Sequence, residues 1–109
     1  MHELSITQSL IDAVLDRTGE RTVAAVNLRV GPLSGVLPDA MRFCFDVAAA
    51  GTPLAGAQLL IEEPPGVAHC RSCDDTFTLA DLILLCPCGS ADIEVLTGNE
   101  LMLISVEVA

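Results

Sequence analysis

Lysine is absent from the 109-residue sequence, and its five cationic side chains, all arginine, face 15 carboxylates. The formal net charge is −10. Nucleic-acid binders need cations to displace counterions from phosphates, so no nucleic-acid role is expected. The charge by itself speaks for solubility, and it is compatible with a cation ligand or a basic protein partner. No apolar run approaches the ~18 residues of a membrane span. The opening MHELSITQSL has no basic n-region of a secretory signal. No membrane role and a cytoplasmic location are therefore expected. Internal repeats and low-complexity linkers are also missing. No nucleophile–base pair appears, and neither histidine adjoins a substrate-activating group, so the sequence predicts no enzyme.

What is present is apolar and patterned. The apolar fraction of 51% excludes disorder, and the length suits one domain with a small appendage. Residues 3 to 18 read as an amphipathic helix with Leu4, Thr7, Ile11, Val14, Leu15 and Thr18 on one face, stopped by Gly19. Val23 to Val30 alternates as a strand, with Val26, Leu28 and Val30 toward a core and Asn27 and Arg29 outward. Gly31-Pro32 and Ser34-Gly35 make a turn. A second helix starts near Pro38, a good first helical residue. Its expected apolar stripe is Leu37, Met41, Cys44, Phe45 and Ala48, so Cys44 reads as a core residue. Ala57 to Glu63 is a second strand, and Pro64-Pro65-Gly66 breaks it and marks a hinge. Asp92 to Leu96 and Glu100 to Val108 complete the strands. The last is too apolar to stand alone and should return to pair with an earlier strand. The predicted fold class is α+β. Two helices pack on a small, mostly antiparallel three-stranded sheet, into which a zinc-knuckle (zinc-ribbon-like) domain is inserted.

The insertion is HCRSCDDTFTLADLILLCPCGS, residues 69 to 90. Cys70-x-x-Cys73 and Cys86-x-Cys88, twelve residues apart, have a spacing that closes around one tetrahedral metal. Zinc is the default for a thiolate-rich tetrahedral site. Clustered thiols in a chain without a signal segment favour metal over disulfides. A catalytic thiol pair is weakly supported, because no βαβ context surrounds Cys70 and Cys73. His69 reads as a solvated neighbour of Cys70. It becomes a substitute ligand if the short second pair cannot close, and Cys44 is a ligand only if the knuckle lacks one.

Met1-His2-Glu3 is the second feature. A free α-amine, the His2 amide and imidazole Nδ1 form fused rings around one cation, and the next amide completes a plane. Planar nitrogen ligation suits Ni(II) and Cu(II). The alternative is a frayed terminus whose histidine does nothing.

Taken together, MHELSITQSL, VNLRVGPLSGVLPDAMRFCFD, GAQLLIEEPPGVAHCRSC and CPCGSADIEVLTGNELMLISVEV resemble the HypA/HybF family of nickel-insertion chaperones in NiFe-hydrogenase maturation. The resemblance implies a nickel-binding α/β domain, residues 1–64 plus 98–109, and a zinc-binding domain, residues 65–97. It implies nickel on Met1, His2 and Glu3, and zinc on Cys70, Cys73, Cys86 and Cys88. It also implies a hydrogenase-maturation GTPase and the hydrogenase large-subunit precursor as partners, urease as a second client in some relatives, and a monomer or weak homodimer. A zinc-ribbon interaction module without nickel delivery is the alternative. Two residues depart from the family pattern. Only Pro87 separates Cys86 and Cys88 where relatives have two residues, and Asp74 stands where relatives often have glycine.

Overall fold

The computed structural model describes residues 2–79 and 83–109; for His2 it describes the backbone only. In chain order the elements are α1 (His2–Thr18), β1 (Val23–Val30), α2 (Pro38–Ala49), β2 (Gln58–Glu62), β3 (Gly66–Cys70), β4 (Thr76–Leu79), β5 (Ile93–Thr97) and β6 (Leu101–Val108). They form two compact units. One comprises the chain up to Arg29, Val36–Glu62 and Met102–Ala109; the other comprises Val30–Gly35 and Glu63–Leu101. No helix among the described residues is long and apolar enough to cross a membrane.

The first unit is two helices and a sheet of order β2-β1-β6. α1 buries Thr7, Ile11, Val14 and Thr18, the predicted face, with Leu4 and Leu15 half-buried. The two threonines are tolerated there because each hydroxyl donates to a carbonyl of its own helix, Thr7 to Leu4 at 2.9 Å and Thr18 to Val14 at 3.0 Å. Gly19, at φ +62°, ends the helix by donating its amide to Leu15. The last strand does return. Ala109 N donates to Thr22 O, and the Asn27 side chain donates to Ser105 Oγ and Glu107 Oε2. That order of partners makes β1 and β6 antiparallel. β1 and β2 are parallel, with Val26 opposite Leu59 and Leu28 opposite Ile61. The sheet is thus mixed, because α2 lies between β1 and β2 in the chain and parallel neighbours need such a crossover.

Leu37 corrects the expected α2 stripe. It is the N-cap, extended at φ −92° and ψ 119°, and it is 67% exposed. A residue outside the helix does not follow the helical period. The buried line is instead Met41, Phe45 and Ala49, at steps of four. Cys44 and Ala48 flank that line and are only half-buried.

The second unit carries a separate antiparallel sheet of order β4-β3-β5. β3 and β4 were not expected from the sequence. Gly66, read as part of a break, is instead the first residue of β3, opposite Leu79. β5 pairs with the other edge of β3, Cys70 opposite Ile93 and Ala68 opposite Val95, across an irregularity at Val67/Ala68. Gly31 and Leu33 donate their amides to Glu100 O and Gly98 O at 2.8 and 2.7 Å. A Cβ on Gly31 would overlap the Gly98 carbonyl. Gly31→Ala is therefore expected to destabilise this unit by about 1–3 kcal/mol. The check is its thermal midpoint, which should fall by roughly 5 °C or more.

Candidate metal centre

Cys70 is the last residue of β3, so the strand register fixes its position. The chain turns at once. Asp74 N donates to Cys70 O at 2.9 Å, and Cys70 N donates to Asp75 O at 2.8 Å. Asp74 holds the left-handed conformation at φ 66°, which glycine adopts without strain and Asp or Asn adopt best among the other residues. This explains how Asp74 can replace the glycine of the family pattern. Its carboxylate also accepts a hydrogen bond from His69 Nε2 at 2.7 Å. A carboxylate only accepts, so that nitrogen carries the proton. His69 is half-buried and engaged with Asp74 rather than simply solvated.

The second knuckle closes in a similar way. Gly89, at φ +94°, donates its amide to Cys86 O, and Cys86 N donates to Ser90 O. The two turns are joined by Ser72 Oγ and Ser90 Oγ, 2.9 Å apart, and by Arg71, which donates to Asp92 Oδ1 at 3.0 Å and Ile93 O at 3.2 Å. No sequence signal marked these cross-links, because isolated serine and arginine side chains carry no spacing rule.

The geometry brings Cys70, Cys73, Cys86 and Cys88 together with all four sulfurs within 4.8 Å of one another. Cys70 and Cys88 sulfurs are 3.8 Å apart, and those of Cys73 and Cys86 are 3.6 Å apart. A tetrahedron with metal–sulfur bonds of ~2.3 Å has an edge of about 3.8 Å. The sulfurs therefore outline a tetrahedral thiolate site. They are free thiols rather than disulfides, because bonded sulfurs lie ~2.05 Å apart. The missing residue in the second pair does not prevent closure. Cys88 N still points at Cys86 Sγ at 3.4 Å, as Cys73 N points at Cys70 Sγ at 3.5 Å. Neither His69 nor Cys44 belongs to the cluster.

Four thiols this close cannot all ionise without a cation among them. The Cys73 backbone amide is the main influence that lowers the Cys70 thiol to about 6. At Cys86 the Cys88 amide pulls downward, but desolvation and the three neighbouring sulfurs outweigh it and push the thiol up to about 12. Cys73 is raised as well. The Asp75 amide and Cys86 lower it, and desolvation together with Cys70 and Cys88 prevails. One sulfur is poised as the entering ligand, and at least two others surrender protons when a cation arrives.

Of the second predicted site, Met1 and the His2 side chain lie outside the described residues. Glu3 is half-buried in the first turn of α1, with Oε2 3.5 Å from the Leu37 amide that precedes α2.

Comparison with known proteins agrees with this architecture. Residues 1–108 match the family described as "HypA: Hydrogenase/urease nickel incorporation, metallochaperone, hypA". The chain is 45% identical over 109 residues to a hydrogenase maturation factor HypA from Geotalea uraniireducens, covering 99% of each. It is 43% identical over 108 residues to one from a Nostoc species, covering 99% of this chain and 96% of that one. The fold is similar to the solution structure of the Ni metallochaperone HypA from Helicobacter pylori, with TM-score 0.62, 21% identity, and coverage of 97% and 96%. With a match that spans all but its last residue, the chain belongs to the HypA family.

Proposed function

We propose that this chain is a nickel metallochaperone. It delivers Ni(II) during maturation of NiFe-hydrogenase, and of urease where one is served, and it does not itself catalyse a reaction. The carrying observation is that, among the described residues, the four cysteines form the single cluster of three or more potential metal ligands. A four-thiolate site is closed: once filled, it has no open position for an ion in transit. A cargo ion therefore needs another site, and Met1, His2 and Glu3 supply it. The α-amine, the His2 amide and imidazole, and the Glu3 amide offer four nitrogens in one plane for Ni(II).

Zinc is the resident ion at Cys70, Cys73, Cys86 and Cys88, and its work is structural. The zinc-binding domain is residues 65–97, and the nickel-binding domain is residues 1–64 plus 98–109. A cytoplasmic location keeps the thiols reduced. The client is the hydrogenase large-subunit precursor, and a hydrogenase-maturation GTPase is the partner in delivery.

The test of the nickel reading is titration of protein with a free, native N-terminus beside the same protein carrying an N-terminal extension. The expected result is one planar Ni(II) complex in the first and none in the second. Equal binding by both would remove the terminal site. The zinc site has its own test. Cys73 and Cys86 are raised above the ordinary thiol value, so both are protonated near pH 7.5. Zinc should then release at least two protons on binding. Affinity should fall at least about 100-fold per pH unit, and more steeply as pH drops through about 6, where Cys70 also takes up its proton. Calorimetry in buffers of different ionisation enthalpy counts those protons.

A further inference from the structure

α2 is apolar at two opposite poles. Its buried line is Met41, Phe45 and Ala49. The opposite pole, where an amphipathic helix places polar groups, carries Phe43 at 71% exposure and Val47 at 57%. These two are four residues apart and therefore adjacent on the helix surface. Leu37, the N-cap that precedes this helix, is 67% exposed as well. Exposed single leucines or valines are ordinary, but a bare phenylalanine at the outermost pole of a short helix needs a reason.

We propose that this face of α2 docks into an apolar groove on a partner protein whose rim is basic. Charge selects the occupant. Asp39 and Asp46 stand along one side of the Phe43–Val47 line, and both are exposed. Arg42 bonds Asp39 at 3.1 Å, yet the Asp39 side chain remains fully exposed. The chain as a whole carries −10. A second copy would bring a like charge and the same carboxylates against this face, which disfavours self-association. A partner groove with arginine or lysine at its edge meets both features, in the helix-in-groove mode of recognition. The location has a consequence that rests on the nickel reading: Glu3 Oε2 lies 3.5 Å from Leu37 N. A partner gripping α2 is therefore brought beside the residue that follows His2, where the cargo ion is held.

The test uses the full chain with its native N-terminus and the purified hydrogenase-maturation GTPase as probe. Phe43→Ser with Val47→Ser should weaken binding by about tenfold or more, since exposed aromatics dominate such interfaces. The thermal midpoint should hold, because neither side chain is buried. Asp39→Asn with Asp46→Asn should slow association and flatten its salt dependence. Nickel titration of the same variants should match the parent. If the parent fails to bind the GTPase, or the serine variant binds it equally well, the docking proposal is overturned. A parent that sediments as a dimer, and a serine variant that is monomeric, would also overturn it by making the face a self-association seam. If the parent binds the GTPase through this face but takes up no nickel, docking stands and the nickel reading falls.

Discussion

Removing the metal from the four cysteines with a chelator is expected to melt β3, β4 and β5 while α1 and α2 stay folded. The reason is the size of the two cores. The unit that carries α1 and α2 buries Ile11, Val14, Val26, Leu28, Met41, Phe45 and Leu54, with several smaller residues around them. The described residues of the other unit bury Val30, Ala68, Leu79 and two cysteines. Two of those five buried side chains are thus metal ligands in the proposed reading. A unit of this size with so little apolar burial needs a staple. Metal binding to a site that does not exist in the unfolded chain adds its binding free energy to folding, ~10–16 kcal/mol apparent in small zinc peptides. Amide exchange resolved by residue is the measurement. Protection at Val67 to His69 should vanish with the metal, and protection in α1 and α2 should persist. Cys70→Ser should mimic the chelator, because Cys70 is fully buried and belongs to β3. Adding zinc back should restore protection in the parent and not in the variant. Retained protection in β3 without metal would show that hydrogen bonding between the strands is enough.

The sequence was most readable where one physical rule acts alone. α1 has a single buried face and most of β1 follows one, so spacing of three and four, or of two, revealed Thr7, Ile11, Val14 and Thr18, and Val26, Leu28 and Val30, though not Val23 and Ala25, which are buried on the other face of β1. The cysteine cluster was legible for a different reason: few arrangements other than a metal site bring two close thiol pairs together. Leu37 misled because apolar character was extended one residue past the helix end, where conformation rather than period decides exposure. β3 and β4 were missed because VAHC and TFTL are short. Half their positions are small or polar, and partners fix them from outside, Cys70 to Ile93 and His69 to Thr76. Register across a sheet is not written in either strand alone. The parallel junction of β1 and β2 was hidden for the same reason, although a helix between two strands was visible. Phe43 carried no signal at all: helical spacing identifies the buried line of α2 but not what stands opposite it.

His2→Ala is expected to lower Ni(II) affinity at least about 100-fold, or ~2.7 kcal/mol, and to leave the zinc content unchanged. The substitution removes one of four nitrogens and, with it, the ring that joins the imidazole to the His2 amide. The amine and amides alone form a weaker, open chelate. The backbone cost of binding is small. α1 begins at His2, so the His2 and Glu3 amides are among the first amides of the helix, which have no intrahelical partner to give up. The pH dependence follows from proton competition. The two ligating amides surrender their protons at every pH, and imidazole, near 6.5, and α-amine, near 7.7–8.0, must also be deprotonated to bind. Parent affinity should therefore fall with each drop in pH from 8, and its slope should steepen by about tenfold per unit below 6.5. His2→Ala should keep the amine part of the slope and lack the extra steepening. Glu3→Gln separates backbone from side chain. A site that uses only the Glu3 amide binds nickel equally well in that variant, with the carboxylate left to its contact near Leu37. If His2→Ala retains parent affinity and parent pH slope, nickel is held elsewhere in the chain.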